Sequence, residues 1–468
     1  MERRWQVLLV VCVGVFVASL DLFIVNIAFP DIAADFSGSD LADLSWVLNA
    51  YTIVFAALLV PAGRLADSIG NKRAFLGGLA LFTAASVACA AAGSVETLVG
   101  ARIVQAVGAA FLLPTSLALL LREFPAEQRP VAIGVWAASG GVAAAAGPPV
   151  GGLLVELSWH WVFLVNLPVG VAAITIGSRI LREARATGPD AGRIDVPGAV
   201  AVTLGTGALI AAIVNGDSWG WTSTRTLALS GAAVVLLGAV VLRTFSHPAP
   251  ILEREVVGVR SFRLAVSGGL LFFVAFAAML LGSVLFLTEV WDKSVLTAGL
   301  MVAPGPATAA AFSVPGARLG ERIGPHRVGA LGGLLFAIGA ASWAWRLGDD
   351  PAWARDFLPG MLIGGAGVGL VNPALTSAAA ASLPPARFAT GAAVLGMGRQ
   401  VGTALGVAIL VPVLGVPTGA GSFDGVWLVM VLGALAAAAS FLAIGPLHAP
   451  RPSARPTAPA VTTVEVPA

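Results

Sequence analysis

The chain has 468 residues, 57% of them apolar and only 11% charged, with a formal net charge of +2 and a mean hydropathy of +0.91. These values lie outside the range of soluble globular domains and point to an integral membrane protein, and so balanced a charge gives no ground for a nucleic-acid partner. Cys12 and Cys89 both fall inside apolar runs, so neither a disulfide nor a metal site is expected.

The N-terminus, MERRW, leads into an apolar run ending at Phe29. At about 24 residues the run is long enough to span a bilayer and longer than the apolar core of a signal peptide, so it reads as a retained first helix. Further spans are expected near 45–63, 74–93, 97–121, 130–156, 161–181, 196–216 and 226–245, then near 262–288, 297–317, 327–346, 357–380, 389–415 and 424–446. With the first, near 6–29, they make fourteen, and an even number puts both termini on one side. Of the 27 Lys and Arg, only Arg225, Lys293, Arg346 and Arg355 would lie on the far side, and Arg102 and Arg399 fall within helices. The remainder share the side of the N-terminus, which places both termini in the cytoplasm. Residues 448–468, rich in Pro, Ala and Thr, cannot bury a core and are expected to be a disordered cytoplasmic tail.

One loop motif occurs twice. Residues 61–73 read PAGRLADSIGNKR and residues 315–327 read PGARLGERIGPHR, a shift of 254 that keeps Pro, Arg, Leu, Ile, Gly and Arg and answers Asp67 with Glu321. Each copy follows the second apolar run of its half, yet the copies stand eight runs apart. The expected fold is therefore an all-α polytopic membrane protein of 14 transmembrane helices: a six-helix bundle over 1–190, two additional helices over 191–250 and a second six-helix bundle over 251–447. Parallel repeats of this kind mark secondary transporters that rock one half against the other.

Asp21, Arg102 and Arg399 are the ionisable side chains expected clearly inside helices. A charge at that depth costs at least about 2.5 kcal/mol on insertion scales, so each needs a partner, a water-filled cavity or neutralisation. Asp21 and Arg102 fall at comparable depths in the first and fourth helices and can meet. A carboxylate that alternates between an arginine partner and a protonated, neutral form carries a proton; the competing reading is a fixed ion pair that only locks two helices together. Segment 102–114 aligns with 361–373, Gly108 with Gly367 and Pro114 with Pro373, but Arg102 aligns with Met361. The scaffold repeats without the charge, which assigns Arg102 a task specific to the N-terminal half.

In the fifth expected helix, GGVAAAAGPPVGG at 140–152 supplies Gly147, Pro148, Gly151 and Gly152, a packing and hinge element. The 63–73 loop supplies Gly63 and Gly70 for tight turns, Asp67 suited to a helix N-terminus, and Lys72 and Arg73 as cytoplasmic anchors. A topology-setting basic loop explains the basic residues but not the Asp between the glycines, which favours a gate latch. Candidate substrate-cavity residues are Asn26, Gln105, Glu156, Arg399 and Gln400, although Glu156 also suits a solvated rim.

GRLADSIGNKR resembles the loop signature of the major facilitator superfamily, and RIVQAVGAA and GGVAAAAGPPVGG resemble its helix 4 and antiporter helix 5 motifs. LDLFIVNIAFP at 20–30, WHWVFLVNLPVG at 159–170, IDVPGA at 194–199 and GRQVGTALGVAI at 398–409 are similar to motifs of its fourteen-helix drug/proton antiporter branch. The resemblance covers all but the tail. It implies export of drugs or antibiotics across the cell membrane in exchange for protons, with Asp21 and Arg102 in the coupling site and the proton gradient, not a cofactor, as energy source. His160 and Asn71 depart from basic residues usual in the family, and 297–317 lacks the acidic residue of some multivalent-cation exporters.

The expected function is proton-coupled efflux of a hydrophobic or amphipathic small molecule by a lipid-embedded monomer, the alternative being an exporter dedicated to one self-made antibiotic or metabolite. A membrane-embedded enzyme would need several convergent His, Asp, Glu or Ser groups at one depth, which a single Asp with a single Arg does not supply. An ATP-driven pump is disfavoured by the lack of a GxxxxGK[ST] loop in a chain whose only lysines are Lys72 and Lys293. High Ala, Gly and Arg beside so few lysines suggest a GC-rich bacterial source.

Overall fold

The computed structural model describes residues 2–36, 41–183, 195–247, 250–252, 254–384 and 387–446, so the 448–468 tail and the expected boundary at 190/191 lie outside the described residues. The described residues are helical, with no strand among them. The N-terminal set comprises α1 (Arg3–Asp35), α2 (Leu41–Ile69), α3 (Asn71–Ala90), α4 (Val95–Glu123), α5 (Arg129–Leu157), α6 (Trp161–Leu164) and α7 (Asn166–Ile180). Then come α8 (Val196–Val214), a single turn α9 (Gly216–Trp219), α10 (Thr224–Ser246) and another turn, α11 (Arg254–Val257). The C-terminal set is α12 (Arg260–Leu285), α13 (Val295–Val302), α14 (Pro304–Ile323), α15 (Pro325–Arg346), α16 (Leu358–Ala381), α17 (Phe388–Leu414) and α18 (Asp424–Ile444).

Thirteen helices among the described residues are long and apolar enough to cross a membrane, one fewer than expected. The missing one is the 297–317 span, which is broken into α13 and α14 at Ala303. Pro304 and Pro306 cannot donate to the carbonyls of Leu300 and Val302, and α14 gathers Arg318, Glu321 and Arg322 near its end, so neither piece has the length and hydropathy of a span. Pro168 likewise leaves the carbonyl of Leu164 without its helical donor, and the expected 161–181 helix breaks into α6 and α7. A second correction concerns the 63–73 loop. Residues 63–69 continue α2, and the turn to α3 is the single residue Gly70, whose φ of +110° suits glycine.

The two halves repeat one another contact by contact. In the first, α1 packs on α5, α4 and α7, α3 on α4 and α7, and α2 on α4. In the second, α12 packs on α17, α16 and α18, α15 on α16 and α18, and α14 on α16. Gly108 of α4 lies against the Gly78 carbonyl and the Phe82 amide of α3, while Gly367 of α16 lies against the Gly332 carbonyl and the Phe336 amide of α15. A side chain at either glycine would strike backbone, so both helix pairs depend on small residues for close approach.

Between the halves, α5 packs on α14 and α2 on α17. Gly134 faces Ala317 and Ser313 of α14, and Gly63 faces Ala389 and Ala393 of α17. α8 packs on both α2 and α17, whereas α10 packs on α8 and exposes Val234, Val235, Leu242 and Phe245. The α8–α10 pair is clamped by Arg243, whose Nη2 and Nε donate to Asp195 at 2.6 and 3.2 Å, while Asp195 also accepts the Gly198 amide at 3.0 Å. Burial alone would raise the Asp195 carboxyl, but hydrogen bonds from Arg243 and Gly198, with the nearby charges of Arg243 and His247, hold it below its ordinary value.

α5 runs as helix through Pro148 and Pro149 to Leu157. Its glycines differ in what they touch. A Cβ at Gly147 would lie 2.5 Å from the Phe23 Cβ, and one at Gly151 3.2 Å from the Ile27 Cβ, whereas one at Gly152 would meet nothing within 4 Å. Gly147→Leu is therefore expected to overpack the α1–α5 contact and cost about 1–3 kcal/mol, lowering the Tm of the purified protein in detergent. Gly152→Ala is expected to hold or raise the Tm, since alanine is favoured over glycine in a helix interior by about 0.5–1 kcal/mol. Equal losses for the two variants would count against specific α1–α5 packing.

Candidate functional site

Five elements of the N-terminal set converge on one carboxylate. Asp21 of α1 and Arg102 of α4 form an ion pair of 2.6 Å, and their side chains are 0% and 1% exposed. Arg102 Nη1 also donates to Gln105 Oε1 at 2.7 Å, and its Nε donates to the Val47 carbonyl of α2 at 3.1 Å. The guanidinium lies over the Tyr51 ring, 4.1 Å from its centroid, and near the Phe163 ring of α6 at 5.8 Å. Asp21 Oδ1 accepts from Gln105 Nε2 at 2.8 Å and from Asn166 Nδ2 of α7 at 3.0 Å. Both amides further donate to Ser86 Oγ of α3, at 2.9 and 3.2 Å.

The local sequence explains the convergence. Arg102 and Gln105 are three residues apart and share a face of α4, and the break near Pro168 starts α7 at Asn166. Buried charges are tolerated only when paired and hydrogen-bonded, and every donor around Asp21 meets that condition. Protonation would change the arrangement as well as the charge. A neutral Asp21 would acquire an O–H donor and lose its charge while keeping acceptor lone pairs, so the contact with Arg102 would be weakened.

The second half contains the same contact without its chemistry. Tyr51 and Gly305 are related by the 254-residue shift, and Arg102 aligns with Met361. Arg102 stacks on Tyr51; Met361, itself buried, packs against Gly305.

A second group lies toward the end of the bundle that carries Arg3 and Ile444. Asp67, 1% exposed, accepts the Thr390 Oγ1 hydroxyl at 2.8 Å and the Thr390 amide at 3.2 Å. Thr390 is in the first turn of α17, where backbone amides have no helical partner, so Asp67 caps that helix from across the interface. Gly63 permits the close approach of α2 and α17 one turn away. Lys72 Nζ donates to the Ser178 carbonyl at 2.7 Å, the Lys72 amide donates to Glu183 at 3.2 Å, and Arg73 stands 3.6 Å from Glu183. These contacts tie the α2–α3 turn to the end of α7. The symmetry-related position differs: Glu321 is exposed and Val131 stands where Thr390 would be.

The other candidates are dispersed. Asn26 is exposed and turns its amide back to the Leu22 carbonyl at 2.6 Å. Glu156 is exposed near the end of α5. Arg399 lies over the Phe273 ring at 4.4 Å, and Gln400 beside it is partly exposed. Only Gln105 of the cavity candidates joins the Asp21 group. Sequence reasoning missed Ser86, Tyr51, Asn166 and Thr390. Asn166 stood within WHWVFLVNLPVG and was there to be singled out, whereas Thr390 carries no local signal for a bond to a residue 323 positions away.

The sequence profile of the Major Facilitator Superfamily matches residues 11–406 and 264–466. The multidrug resistance protein Stp of Mycobacterium tuberculosis is 33% identical over 419 residues, which cover 88% of this chain and 76% of that protein. The methylenomycin A resistance protein of Bacillus subtilis is 34% identical over 414 residues, covering 86% of each. Among solved structures, the proton:xylose symporter XylE matches with a TM-score of 0.67 at 14% identity, over 92% of this chain and 94% of that one. Fold, internal repeat and sequence thus agree, and the chain belongs to the Major Facilitator Superfamily.

Proposed function

We propose that this protein exports hydrophobic or amphipathic small molecules, drugs or antibiotics among them, across a bacterial cytoplasmic membrane in exchange for protons. The observation that carries this reading is the buried Asp21–Arg102 pair, present in one half of a repeated scaffold, whereas in the other half Met361 stands in place of Arg102 and α12 carries no acidic residue. A scaffold-building ion pair should recur with the scaffold; a proton site needs to occur once. The resistance functions named for the Mycobacterium and Bacillus relatives support efflux as the direction. With both termini cytoplasmic, a reading the Lys and Arg distribution supports, the Asp67–Thr390 contact lies on the cytoplasmic side and latches α2 to α17 there.

The cycle follows from that placement. With the cytoplasmic side latched, Asp21 takes a proton from outside and releases Arg102. The resulting mismatch at the α1–α4 contact favours repacking of the halves, which breaks the Asp67–Thr390 cap and opens the cytoplasmic side. There Asp21 loses its proton, Arg102 re-pairs with it, and substrate is taken up for the next outward step. The membrane potential adds about 2.3 kcal/mol per charge per 100 mV to inward proton movement.

Expression in an efflux-deficient host, with a drug panel and with or without a protonophore, tests the reading directly. Resistance is expected to vanish with the protonophore; resistance indifferent to it would overturn proton coupling, and protection against one compound alone would select the dedicated exporter. In inverted vesicles, Asp21→Asn is expected to insert normally yet reduce proton-driven accumulation to background, and wild-type uptake in that variant would move the proton site elsewhere. Thr390→Val removes the hydroxyl bond to Asp67, worth about 1.5–3 kcal/mol for a charged acceptor. It is expected to raise cytoplasmic-side accessibility of single-cysteine reporters on α2 and α17, in a Cys12→Ala, Cys89→Ala background, by on the order of tenfold. Unchanged accessibility would show that this contact is not a latch.

A further inference from the structure

Arg399 remains unexplained by the coupling site and the latch. It stands mid-helix in α17, makes no ion pair and no side-chain hydrogen bond among the described residues, and rests on the Phe273 ring at 4.4 Å. Its direction can be read from its neighbours. α17 meets α2 through Ala389 and Ala393, α8 through Met397, and α12 through Gly398, Gly402 and Gly406. At about 100° per residue, Arg399 falls between the α12 face and the face where Gly396 meets Leu59 of α2 and Leu113 of α4. That sector lies between the α12 contact and the contact with α2 and α4, at the seam between the halves. Arg399 and Thr403, one turn further on, are partly exposed, whereas residues 391–396 on the terminal side are buried.

Arg102 shows what completes such a position. Its guanidinium also lies flat on an aromatic ring, and a carboxylate takes its edge at 2.6 Å. Arg399 has the ring and lacks the carboxylate. A cation over an aromatic face is only partly compensated, because its N–H edge still requires acceptors. The acidic residues Glu289, Glu321, Asp356 and Asp424 of the C-terminal half stand near or beyond helix ends, whereas Arg399 is mid-helix. Arg102 is neutralised by Asp21, whereas Arg399 has no acidic partner among the described residues, and an intramembrane cation without a counter-ion marks a ligand path.

We propose that Arg399, with Phe273 beneath it, is the anion subsite of the transport cleft, and that the preferred substrates are amphipathic organic anions carrying a carboxylate or a comparable planar oxyanion. This rests on the export reading and narrows its substrate class. The carboxylate accepts a forked pair of hydrogen bonds from the guanidinium edge while the apolar body of the substrate covers the neighbouring small and apolar residues of α12 and α17. The position aligned with Arg399 in the first half is Gly140, so the anion subsite, like the proton site, occurs once, and the two lie in opposite halves.

The test is equilibrium binding to the purified full-length protein in detergent at neutral pH, with no gradient imposed, so that its outcome is independent of proton coupling. The probes are naphthaleneacetate, its methyl ester and naphthalenemethylammonium, read by calorimetry and by ligand-induced thermal shift. Wild type is expected to bind the carboxylate on the order of tenfold more tightly than the ester or the ammonium compound, the scale of one charge-assisted hydrogen-bonded contact. Arg399→Gln is expected to abolish that preference while leaving ester binding unchanged, and Arg399→Lys to restore part of it, which separates loss of the subsite from loss of the fold. A wild-type protein with no preference for the carboxylate, or an Arg399→Gln protein that keeps the preference, would overturn the proposal. Failure of the export reading is detected separately, by the absence of any resistance when the protein is expressed in the efflux-deficient host.

Discussion

The Asp21–Arg102 contact sets a requirement that much of the N-terminal half is arranged to meet. Removing one partner of a buried pair typically costs about 3–5 kcal/mol, because the remaining charge has no water to turn to. Stability therefore demands that the pair be made, and hydrogen-bonded around its whole edge, whenever both groups are charged. α2 contributes a carbonyl and an aromatic face, α3 a hydroxyl, α4 the Gln105 amide and α7 the Asn166 amide. The arrangement serves the charged pair and no other.

The rest of the molecule is built as two bodies. Each half is sealed internally by glycine contacts in which one helix backbone lies against another, as at Gly108 and Gly367. Such contacts tolerate little deformation within either half. Between the halves, α5 and α17 serve as crosspieces: each packs on the first helix of its own half and on the second helix of the other. The scaffold is symmetric and the chemistry is not. The Asp67–Thr390 cap, the Asp21–Arg102 pair and Arg399 each appear once, where the other half has an exposed Glu321, Met361 in place of Arg102, and Gly140.

Much of this was legible in the sequence because membrane helices announce themselves by length and hydropathy, and because the PAGRLADSIGNKR repeat fixed how the halves correspond. Asp21 and Arg102 stood out for the same reason: a charge in an apolar run is rare and costly. What escaped was polar chemistry that costs nothing to place. Ser86, Asn166 and Thr390 are neutral residues that helices accept readily, and only the packing of distant segments reveals their partners. Hydropathy likewise could not see the breaks at Ala303 and Val165, which arise from prolines whose missing N–H groups leave apolarity untouched. Asp67 was read into a loop because the basic residues after it lower the local hydropathy, although the backbone stays helical to Ile69.

The additional helices bear on how the halves can move. α8 reaches both sides of the seam: Ile210 joins a buried cluster with Ala56 of α2 and with Ala404 and Ala408 of α17, and Thr206 Oγ1 donates to Met397 Sδ at 3.4 Å. On the opposite side of the molecule, α5 and α14 meet directly, with Gly141 close to Ala310. A helix bound to both moving bodies must either shear along one of them or travel with it. The contacts of α8 are with small and aliphatic side chains, which permit sliding at little cost, whereas its link to α10 is the bidentate Asp195–Arg243 clamp. The weak side of α8 therefore faces the seam and the strong side faces α10, so α8 is held more firmly to α10 than to either half of the molecule.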